Sequence, residues 1–161
     1  MIMAELKKHH GIRIDKDGIW YFRGEEMKRQ DIIIYLYQYL KKDSTGQYLI
    51  ETENERCYVT VEDVPFIIKR VDAGFSYDNG QPCILISLSD GSREELNFDI
   101  PFWHGDDNVM YCKVKKGEYA ARFSRPAYYQ LCGYIEHDSA RDTYMVTVNN
   151  SSYTLAFTDQ P

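Results

Sequence analysis

The stretch that decides the fold reads Tyr39-Leu40-Lys41-Lys42-Asp43, and a similar stretch, Tyr134-Ile135-Glu136-His137-Asp138, stands at the corresponding place in the second half of the chain. Each forms the end of a segment whose apolar residues have helical spacing, and each precedes two segments with strand patterns. The first strand segments also correspond, since Tyr48-Leu49-Ile50-Glu51-Thr52 resembles Tyr144-Met145-Val146-Thr147-Val148 with a shift of one residue. Short tyrosine-rich patterns can coincide by chance, but the element order agrees as well, so we predict a structural duplication.

Each of the two repeated units is predicted to run strand, strand, helix, strand, strand. The first unit has strands at residues 12–14, 19–22, 48–52 and 57–61 and a helix at residues 28–42. The second unit has strands at residues 109–114, 118–123, 144–148 and 153–157 and a helix at residues 124–137. Ser124 is the predicted N-cap of the second helix, with Pro126 in its first turn.

Further elements lie outside the two repeats. They are a frayed terminus at residues 1–10, a strand at 66–71, an antiparallel hairpin of residues 83–88 and 94–98, and a loop at 100–108. The predicted fold class is therefore α+β, with two repeated β-β-α-β-β units and a middle antiparallel hairpin. The predicted domains are the first unit, residues 12–71, and the hairpin with the second unit, residues 72–161.

Composition and charge exclude several classes of function. The chain has 161 residues, and its net charge of −6 argues against binding of extended nucleic acid. It has no apolar run of signal-peptide or membrane-spanning length, so we expect a cytoplasmic protein without a membrane partner. The four cysteines are far apart and form no C-x-x-C pair, which argues against zinc. His104, Asp106 and Asp107 are typical of a solvated turn, and neither a metal nor another cofactor is predicted.

Two adjacent acids, Glu62 and Asp63, lie between an apolar strand and a proline. Adjacent side chains in a strand point to opposite faces, whereas a paired-carboxylate catalyst needs both groups on one substrate. We therefore predict that the two acids are structural and that at least one binds turn amides or an arginine. A hydrolase or transferase that uses Glu62 or Asp63 is the alternative, although the sequence has no glycine-rich phosphate loop or nucleophile elbow.

Three arginines stand next to the predicted helix starts. Arg29 precedes the first helix, and Arg122 and Arg125 flank the start of the second. Helix N-termini attract anions, and a guanidinium group adds bidentate hydrogen bonds to phosphate or carboxylate. These arginines are therefore candidate ligands of a small anion, with Trp20 and Tyr111 as candidate stacking partners. The alternative is that the arginines pair with acidic side chains across the fold.

Motifs in both halves resemble a bacterial protein family. The motifs of the first half are Asp17-Gly18-Ile19-Trp20, Arg29, Gly46-Gln47-Tyr48 and Val61-Glu62-Asp63-Val64-Pro65-Phe66. Those of the second half are Tyr111-Cys112-Lys113-Val114, Gly117, Ala121-Arg122, Arg125 and Tyr128-Tyr129-Gln130-Leu131. Over roughly residues 14–135 they resemble the family called domain of unknown function 1285 (DUF1285), and the block at 61–66 is the most specific part. One departure is Glu53, because the family usually has a proline after the threonine.

The resemblance implies a duplicated α+β core whose second half looks like a pleckstrin-homology fold. It also implies a pocket between the halves that suits a nucleotide-like molecule, and a role in signal transduction, although no activity is established for the family. The leading expectation is a non-enzymatic ligand-binding or sensor module for a small anionic, nucleotide-like molecule. The alternatives are the enzyme described above and a protein-interaction module, either a homo-oligomer or a binder of another protein, for which tyrosine and tryptophan are suitable anchors.

Overall fold

The computed structural model describes residues 11–159 and divides into two compact units between Pro65 and Phe66. Within the described residues each unit combines β-sheet with an α-helix, which confirms the predicted α+β class. Neither helix in this part of the chain is long and apolar enough to cross a bilayer. The predicted frayed terminus at residues 1–10 lies outside the described residues.

Over residues 11–65, unit 1 forms a six-stranded sheet with one helix. Its elements are β1 (Ile12–Ile14), β2 (Trp20–Phe22), β3 (Glu25–Glu26), α1 (Gln30–Gln38), β4 (Leu40–Lys42), β5 (Tyr48–Glu51) and β6 (Arg56–Val61). The order across the sheet is β3-β2-β1-β6-β5-β4. Neighbouring strands are antiparallel except β1 and β6, which run parallel. The first and last strands of the unit therefore meet in the middle of its sheet.

The core of unit 1 forms around Trp20. This side chain is only 1% exposed, and its ring centroid lies 4.9 Å from that of Tyr37 in an edge-on arrangement. Tyr37 is a buried residue of α1, and its hydroxyl donates a hydrogen bond of 2.7 Å to the carbonyl of Pro65. Ile33, one helical turn earlier, is buried as well. The apolar face of α1 is thus fixed over the sheet, as its helical spacing predicts.

Helix α1 ends at Gln38, so the prediction of a helix up to residue 42 is wrong. Residues Leu40–Lys42 form β4 and pair with β5, and the amide of Glu51 donates to the carbonyl of Tyr39 at 3.0 Å. Leu40 is buried in this strand, while the two lysines after it are exposed. A buried residue at position 40 fits the apolar pattern of a helix and that of a strand. The apolar spacing therefore predicted a helix that is too long.

The turn between β4 and β5 is organised by the carboxylate of Asp43. Asp43 Oδ1 accepts hydrogen bonds from the amide of Thr45 at 2.8 Å, from its hydroxyl at 2.6 Å and from the amide of Gln47 at 3.0 Å. Asp43 Oδ2 accepts from the Tyr58 hydroxyl at 3.0 Å. These donors, of which the Thr45 hydroxyl contributes most, lower the pKa of Asp43 to about 2.

The lowered pKa makes the stability contributed by Asp43 depend on pH. Because the folded-state pKa lies below the unfolded value of about 3.9, this contribution is fully present above that value and is lost as the pH falls toward 2. We expect Asp43→Asn to lower Tm at pH 7 and to differ progressively less from the wild type between about pH 4 and pH 2. Thermal unfolding at a series of pH values, with the exposed Asp17→Asn as control, measures the effect. A Tm difference that stays constant down to pH 2 would contradict the prediction.

Unit 2, which begins at Phe66, contains two sheets and one helix. Its elements are β7 (Phe66–Phe75), β8 (Pro82–Leu88), β9 (Arg93–Glu95), β10 (Trp103–His104), a 3-10 turn (Asp106–Asn108), β11 (Met110–Val114), β12 (Tyr119–Phe123), α2 (Arg125–Cys132), β13 (Ile135–Asp138), β14 (Thr143–Val148) and β15 (Ser151–Leu155). One sheet has the order β10-β11-β12-β7-β8-β9 and the other the order β13-β14-β15. Within the first sheet, β12 and β7 run parallel.

The two units repeat one element order, which confirms the predicted duplication. Unit 1 places three strands before α1 and three after it, and β10 to β15 stand in the same order around α2. The strand pairing differs between the copies. The first and last strands of unit 1, β1 and β6, are parallel neighbours, whereas the corresponding β10 and β15 lie in separate sheets. In unit 2 the parallel partner is β7, which pairs with β12.

Three predictions about unit 2 need correction. Helix α2 ends at Cys132, and Ile135–Asp138 form β13, because the carbonyl of Tyr134 accepts from Thr147 and the chain continues along β14. The predicted loop at 100–108 contains β10, which pairs with β11. The strand predicted at 66–71 extends to Phe75 and joins the sheet of unit 2, so the segment between the repeats is the antiparallel meander β7-β8-β9. The division into domains 12–71 and 72–161 stays a prediction.

Phe102 links the two sheets of unit 2. Its side chain is fully buried and contacts the rings of Phe98, Phe123 and Phe157 at centroid distances of 5.9, 6.5 and 6.4 Å. Its backbone amide donates to Ala156 at 2.9 Å, and its carbonyl accepts from the amide of Thr158 at 2.8 Å. The segment after β15 is therefore tied to the segment before β10.

Candidate functional site

The candidate residues from the sequence are divided between the two units. Trp20, Arg29, Glu62 and Asp63 lie in unit 1, and Tyr111, Arg122 and Arg125 lie in unit 2. A ligand site to which both units contribute therefore stays a prediction.

Both candidate stacking residues are buried. Trp20 packs against Tyr37 in the core of unit 1, and its indole Nε1 has no hydrogen-bond partner among the described residues. Tyr111 is 8% exposed and stacks on Trp103, with ring centroids 5.5 Å apart and planes 7° apart. Gly105 lies against the Tyr111 ring, because a Cβ at that position would stand 2.7 Å from Tyr111 Cε2. These rings are already engaged by the protein itself.

Arg29 is the N-cap residue of α1 and has a local partner. Its Nη2 lies 2.7 Å from Asp31 Oδ2 and its Nε lies 3.2 Å from Asp31 Oδ1. The hydrogen bond from Arg29 lowers the pKa of the Asp31 carboxyl. Both side chains are largely exposed, so this pair contributes little to stability. An anion that binds Arg29 would first have to displace a neighbouring carboxylate.

Glu62 and Asp63 are placed differently from each other. Glu62 Oε1 lies 2.5 Å from Arg13 Nη1, and Glu62 Oε2 accepts a hydrogen bond of 3.2 Å from the amide of Lys16. The Arg13 guanidinium also lies 4.1 Å from the centroid of the Tyr21 ring. Asp63 is exposed and takes part in a further interaction within the protein. The Glu62 carboxylate thus joins the end of β6 to β1.

The start of α2 is capped by Ser124, as predicted. Ser124 Oγ accepts from the amide of Ala127 at 3.2 Å, and its carbonyl accepts from the amide of Tyr128 at 2.9 Å. Pro126 has no amide hydrogen. Since most of the first-turn amides are already used or missing, a ligand at this end of α2 would depend on side chains such as that of Arg125. Arg122, on β12, is half-buried and interacts within the protein.

Beside α2, the long strand β7 separates from its parallel partner. β12 pairs with β7 only at Phe66–Ile68, and the amide of Ser124 then donates to the carbonyl of Ile68 at 3.0 Å. Lys69 forms a β-bulge in β7. Ile68 pairs with Leu88 and Arg70 pairs with Ser87, so Lys69 has no partner residue in β8. From this bulge onward α2 takes the place of β12, and Gln130 Oε1 accepts from the amide of Val71 at 2.8 Å.

A shallow cavity of about 730 Å³ lies between β7 and α2 in unit 2. We call it the α2–β7 cavity, and it is lined by Lys69, Arg70, Val71, Asp72, Tyr129, Gln130, Gly133 and Tyr134. Two of its three charged lining residues are cations. One of them, Arg70, is held by Asp72, with Arg70 Nε 2.9 Å from Asp72 Oδ2. The other cation, Lys69, has no side-chain partner among residues 11–159.

Arg125 extends this basic surface along α2. The amide of Ser124 donates a hydrogen bond to the carbonyl of Ile68. Arg125 follows Ser124 in the chain and Lys69 follows Ile68, so both cations stand next to this hydrogen bond. The Arg125 side chain is exposed and, in the described part of the chain, has no ion-pair or hydrogen-bond partner. Arg125 also stands four residues before Tyr129, which places both on one face of the helix. Tyr129 is 66% exposed and lines the α2–β7 cavity.

A second cleft in unit 2, of about 600 Å³, has a different character. It lies beside the β11–β12 turn, and its charged lining residues are Arg93, Lys113, Lys116, Asp78, Glu94, Glu95 and Asp99. The turn is anchored there, since Lys115 Nζ lies 2.7 Å from Asp90 Oδ2 and the Lys115 amide donates to Glu94. Burial raises the pKa of Glu94. Because acids outnumber cations in this cleft, the α2–β7 cavity is the better candidate for an anion.

Arg125 was predicted from the sequence as a candidate residue, whereas Lys69 was not. The sequence contains part of the signal for Lys69, because Lys69-Arg70 interrupts an apolar strand. It does not show that a β-bulge lies at this position. Among the described residues, no group of three or more His, Cys, Asp and Glu side chains could hold a metal ion.

Fold and site define the class of protein, namely a duplicated α+β protein with a basic cavity on its second unit. Residues 4–64 match the family model described as "Domain of unknown function (DUF1285), N-terminal domain". The chain is therefore DUF1285-like, and the resemblance predicted from its motifs is confirmed. No curated protein matches the chain in sequence.

Two solved structures are similar over most of the chain. A DUF1285 family protein from Silicibacter pomeroyi DSS-3 has a TM-score of 0.71 and 18% identity, with 91% of this chain and 80% of that chain covered. A DUF1285 family protein from Shewanella baltica OS155 has a TM-score of 0.57 and 20% identity, with 76% of this chain and 91% of that chain covered. At these identities the similarity concerns the fold.

Proposed function

We propose that the protein is a non-enzymatic ligand-binding module that holds a small anionic, nucleotide-like molecule in the α2–β7 cavity and acts in cytoplasmic signal transduction. The main support is the pair of exposed cations, Lys69 and Arg125, which lie near the cavity without side-chain partners among the described residues. The chain as a whole has a net charge of −6, so two cations without acidic partners produce a local potential of opposite sign that attracts an anion.

The cavity and the start of α2 next to it offer complementary groups for the parts of a nucleotide. Lys69 and Arg125 supply charge and hydrogen-bond donors for a phosphate, and Arg supports bidentate contacts. The exposed ring of Tyr129 supplies a flat surface on which a base can stack. The negative charge of the rest of the molecule disfavours long polyanions but admits a small one.

Loss of either free cation should weaken binding of the anion. A thermal-shift screen with AMP, GMP and their cyclic forms identifies the probe, because binding to the native state raises Tm. For the nucleotide that binds, we expect Lys69→Ala and Arg125→Ala each to raise Kd about tenfold or more, since each removes a charge-assisted hydrogen bond. Isothermal titration calorimetry measures these affinities.

The matched control is Arg141→Ala, which removes an exposed arginine of the same unit. It should leave Kd unchanged. A screen in which no nucleotide raises Tm, or equal affinities for the wild type and both cavity variants, would overturn the proposal.

The variant Arg29→Ala tests whether unit 1 contributes to the same ligand site. The Arg29 guanidinium is held by Asp31, so the geometry of unit 1 alone gives no reason for a loss of affinity in Arg29→Ala. A rise in Kd for this variant would support the site between both units that the family resemblance implies, whereas unchanged binding would restrict the site to unit 2.

A further inference from the structure

Strand β7 has an edge that is open over half of its length. Along one of its two edges, called the first edge, β7 pairs with β8 over the whole stretch from Ile68 to Phe75. Its second edge is covered by β12 at Phe66–Ile68 and by the side chain of Gln130 at Val71. Beyond Val71 the second edge has no strand beside it among the described residues.

The backbone groups of Ala73 and Phe75 point to this open edge. In an antiparallel pair, alternate residues direct their amide and carbonyl groups toward the partner strand. The amide of Ser76 donates to Gln81 at the end of the β7–β8 hairpin, whereas that of Val71 donates away from β8, to Gln130. Ala73 and Phe75 alternate in step with Val71, so their backbone groups also face away from β8. Neither residue has a backbone hydrogen-bond partner within residues 11–159.

The surroundings of the edge show which kind of strand would fit it. Edge strands are normally protected by charged side chains, proline or a covering element. Val71-Asp72-Ala73-Gly74-Phe75 contains no lysine or proline, and its one charged side chain, Asp72, is paired with Arg70 and Arg93. Cations, Lys69 and Arg70, stand at one end of the open edge, and large exposed rings stand at the other. Phe75 is 60% exposed and Tyr77 is 79% exposed. A strand with acidic residues at one end and apolar residues at the other therefore complements it.

We propose that β7 binds an extended peptide segment of a partner protein by β-strand addition at Val71–Phe75. The peptide backbone pairs with the free amide and carbonyl groups of Ala73 and Phe75. Its acidic end lies near Lys69 and Arg70, and its apolar end packs on Phe75 and Tyr77. The backbone contacts of this peptide are distinct from nucleotide binding, because neither Ala73 nor Phe75 lines the α2–β7 cavity, whereas Lys69 is shared by the two ligands.

The test uses two fluorescein-labelled peptides with the full-length protein. One is Asp-Glu-Val-Thr-Val-Thr-Val-Phe and the other has the reverse order, because the added strand can run in either direction. We expect fluorescence anisotropy to show binding of one of them with a Kd below about 1 mM. Ala73→Pro removes the edge amide without touching the β8 ladder and should raise that Kd at least about tenfold. Ala73→Ser keeps the amide and is the matched control, with an unchanged Kd.

A second probe does not depend on the fold of the variant. N-methylation of alternate amides of the bound peptide removes its edge donors, and one of the two alternating patterns should abolish binding to the wild-type protein. The Ala73→Pro protein should retain its thermal shift with the nucleotide, which separates this proposal from the proposed function. The proposal is wrong if neither peptide binds, or if both N-methyl patterns bind like the parent peptide. It is also wrong if the wild type is a dimer in sedimentation that Ala73→Pro converts to a monomer, since a second copy would then occupy the edge.

Discussion

Phe102→Ala is expected to lower the free energy of unfolding of unit 2 by about 3–5 kcal/mol. Phe102 is fully buried, and its ring contacts three other phenylalanines, one in β12 and two in the segments that follow β9 and β15. Truncation removes the transfer free energy of the ring and leaves a cavity that the surrounding rings cannot fill without moving. Urea unfolding followed by far-UV circular dichroism measures the loss.

Phe22→Ala provides the comparison for Phe102→Ala. Phe22 is a strand residue of the same type but is 45% exposed, so its truncation should cost no more than about 1 kcal/mol. If Phe102→Ala were no more destabilising than Phe22→Ala, the ring would not hold the two sheets together in the way described here.

Trp20→Ala is expected to have an effect of similar size in unit 1, again about 3–5 kcal/mol. The indole is almost fully buried and packs edge-on against Tyr37, whose hydroxyl binds the Pro65 carbonyl. A binding-site tryptophan can be truncated without loss of stability, whereas a core tryptophan cannot. The unfolding free energy of Trp20→Ala therefore separates the core position seen in the structure from the stacking role expected from the sequence.

Trp20→Phe should be clearly less destabilising than Trp20→Ala. The phenyl ring retains much of the apolar volume, and the substitution also removes Nε1, a buried donor without a partner among the described residues. An unsatisfied buried donor costs about 1–3 kcal/mol, so its removal offsets part of the lost packing. Urea unfolding of both variants measures the difference, and equal losses would contradict the prediction.

Local sequence signals predicted those parts of the fold that local interactions determine. Ser124 caps α2, and the β1–β2 hairpin forms at Asp17-Gly18, because capping and turn chemistry depend on a few adjacent residues. The duplication was predicted correctly as well, although each copy has one more short strand on either side of its helix than predicted. The ends of the helices were not, because Leu40 and Ile135 satisfy the apolar pattern of a helix and of a strand alike.

Long-range pairing and side-chain burial could not be read from the sequence. β7 lies next to β12 although more than forty residues separate them, and no local pattern in Phe66–Val71 indicates that partner. The candidate site was affected in the same way. Arg125 was found through its place at a helix start, whereas Lys69 comes close to it only through the β7–β12 pairing. Trp20 and Tyr111 were expected at a ligand because aromatic type alone does not show whether a ring is exposed.

The parallel pairing of β7 with β12 also governs the order in which the second unit can be completed during synthesis. β7, β8 and β9 leave the ribosome first and can form their antiparallel meander at once, because each pairs with the next. The edge of Phe66–Ile68 has no partner until Ala121–Phe123 emerge. Throughout that interval a nascent chain presents an unpaired apolar strand edge, which is the kind of surface that chaperones bind and that aggregates recruit. Slow translation between residues 76 and 119 would prolong this exposure, and fast translation would shorten it.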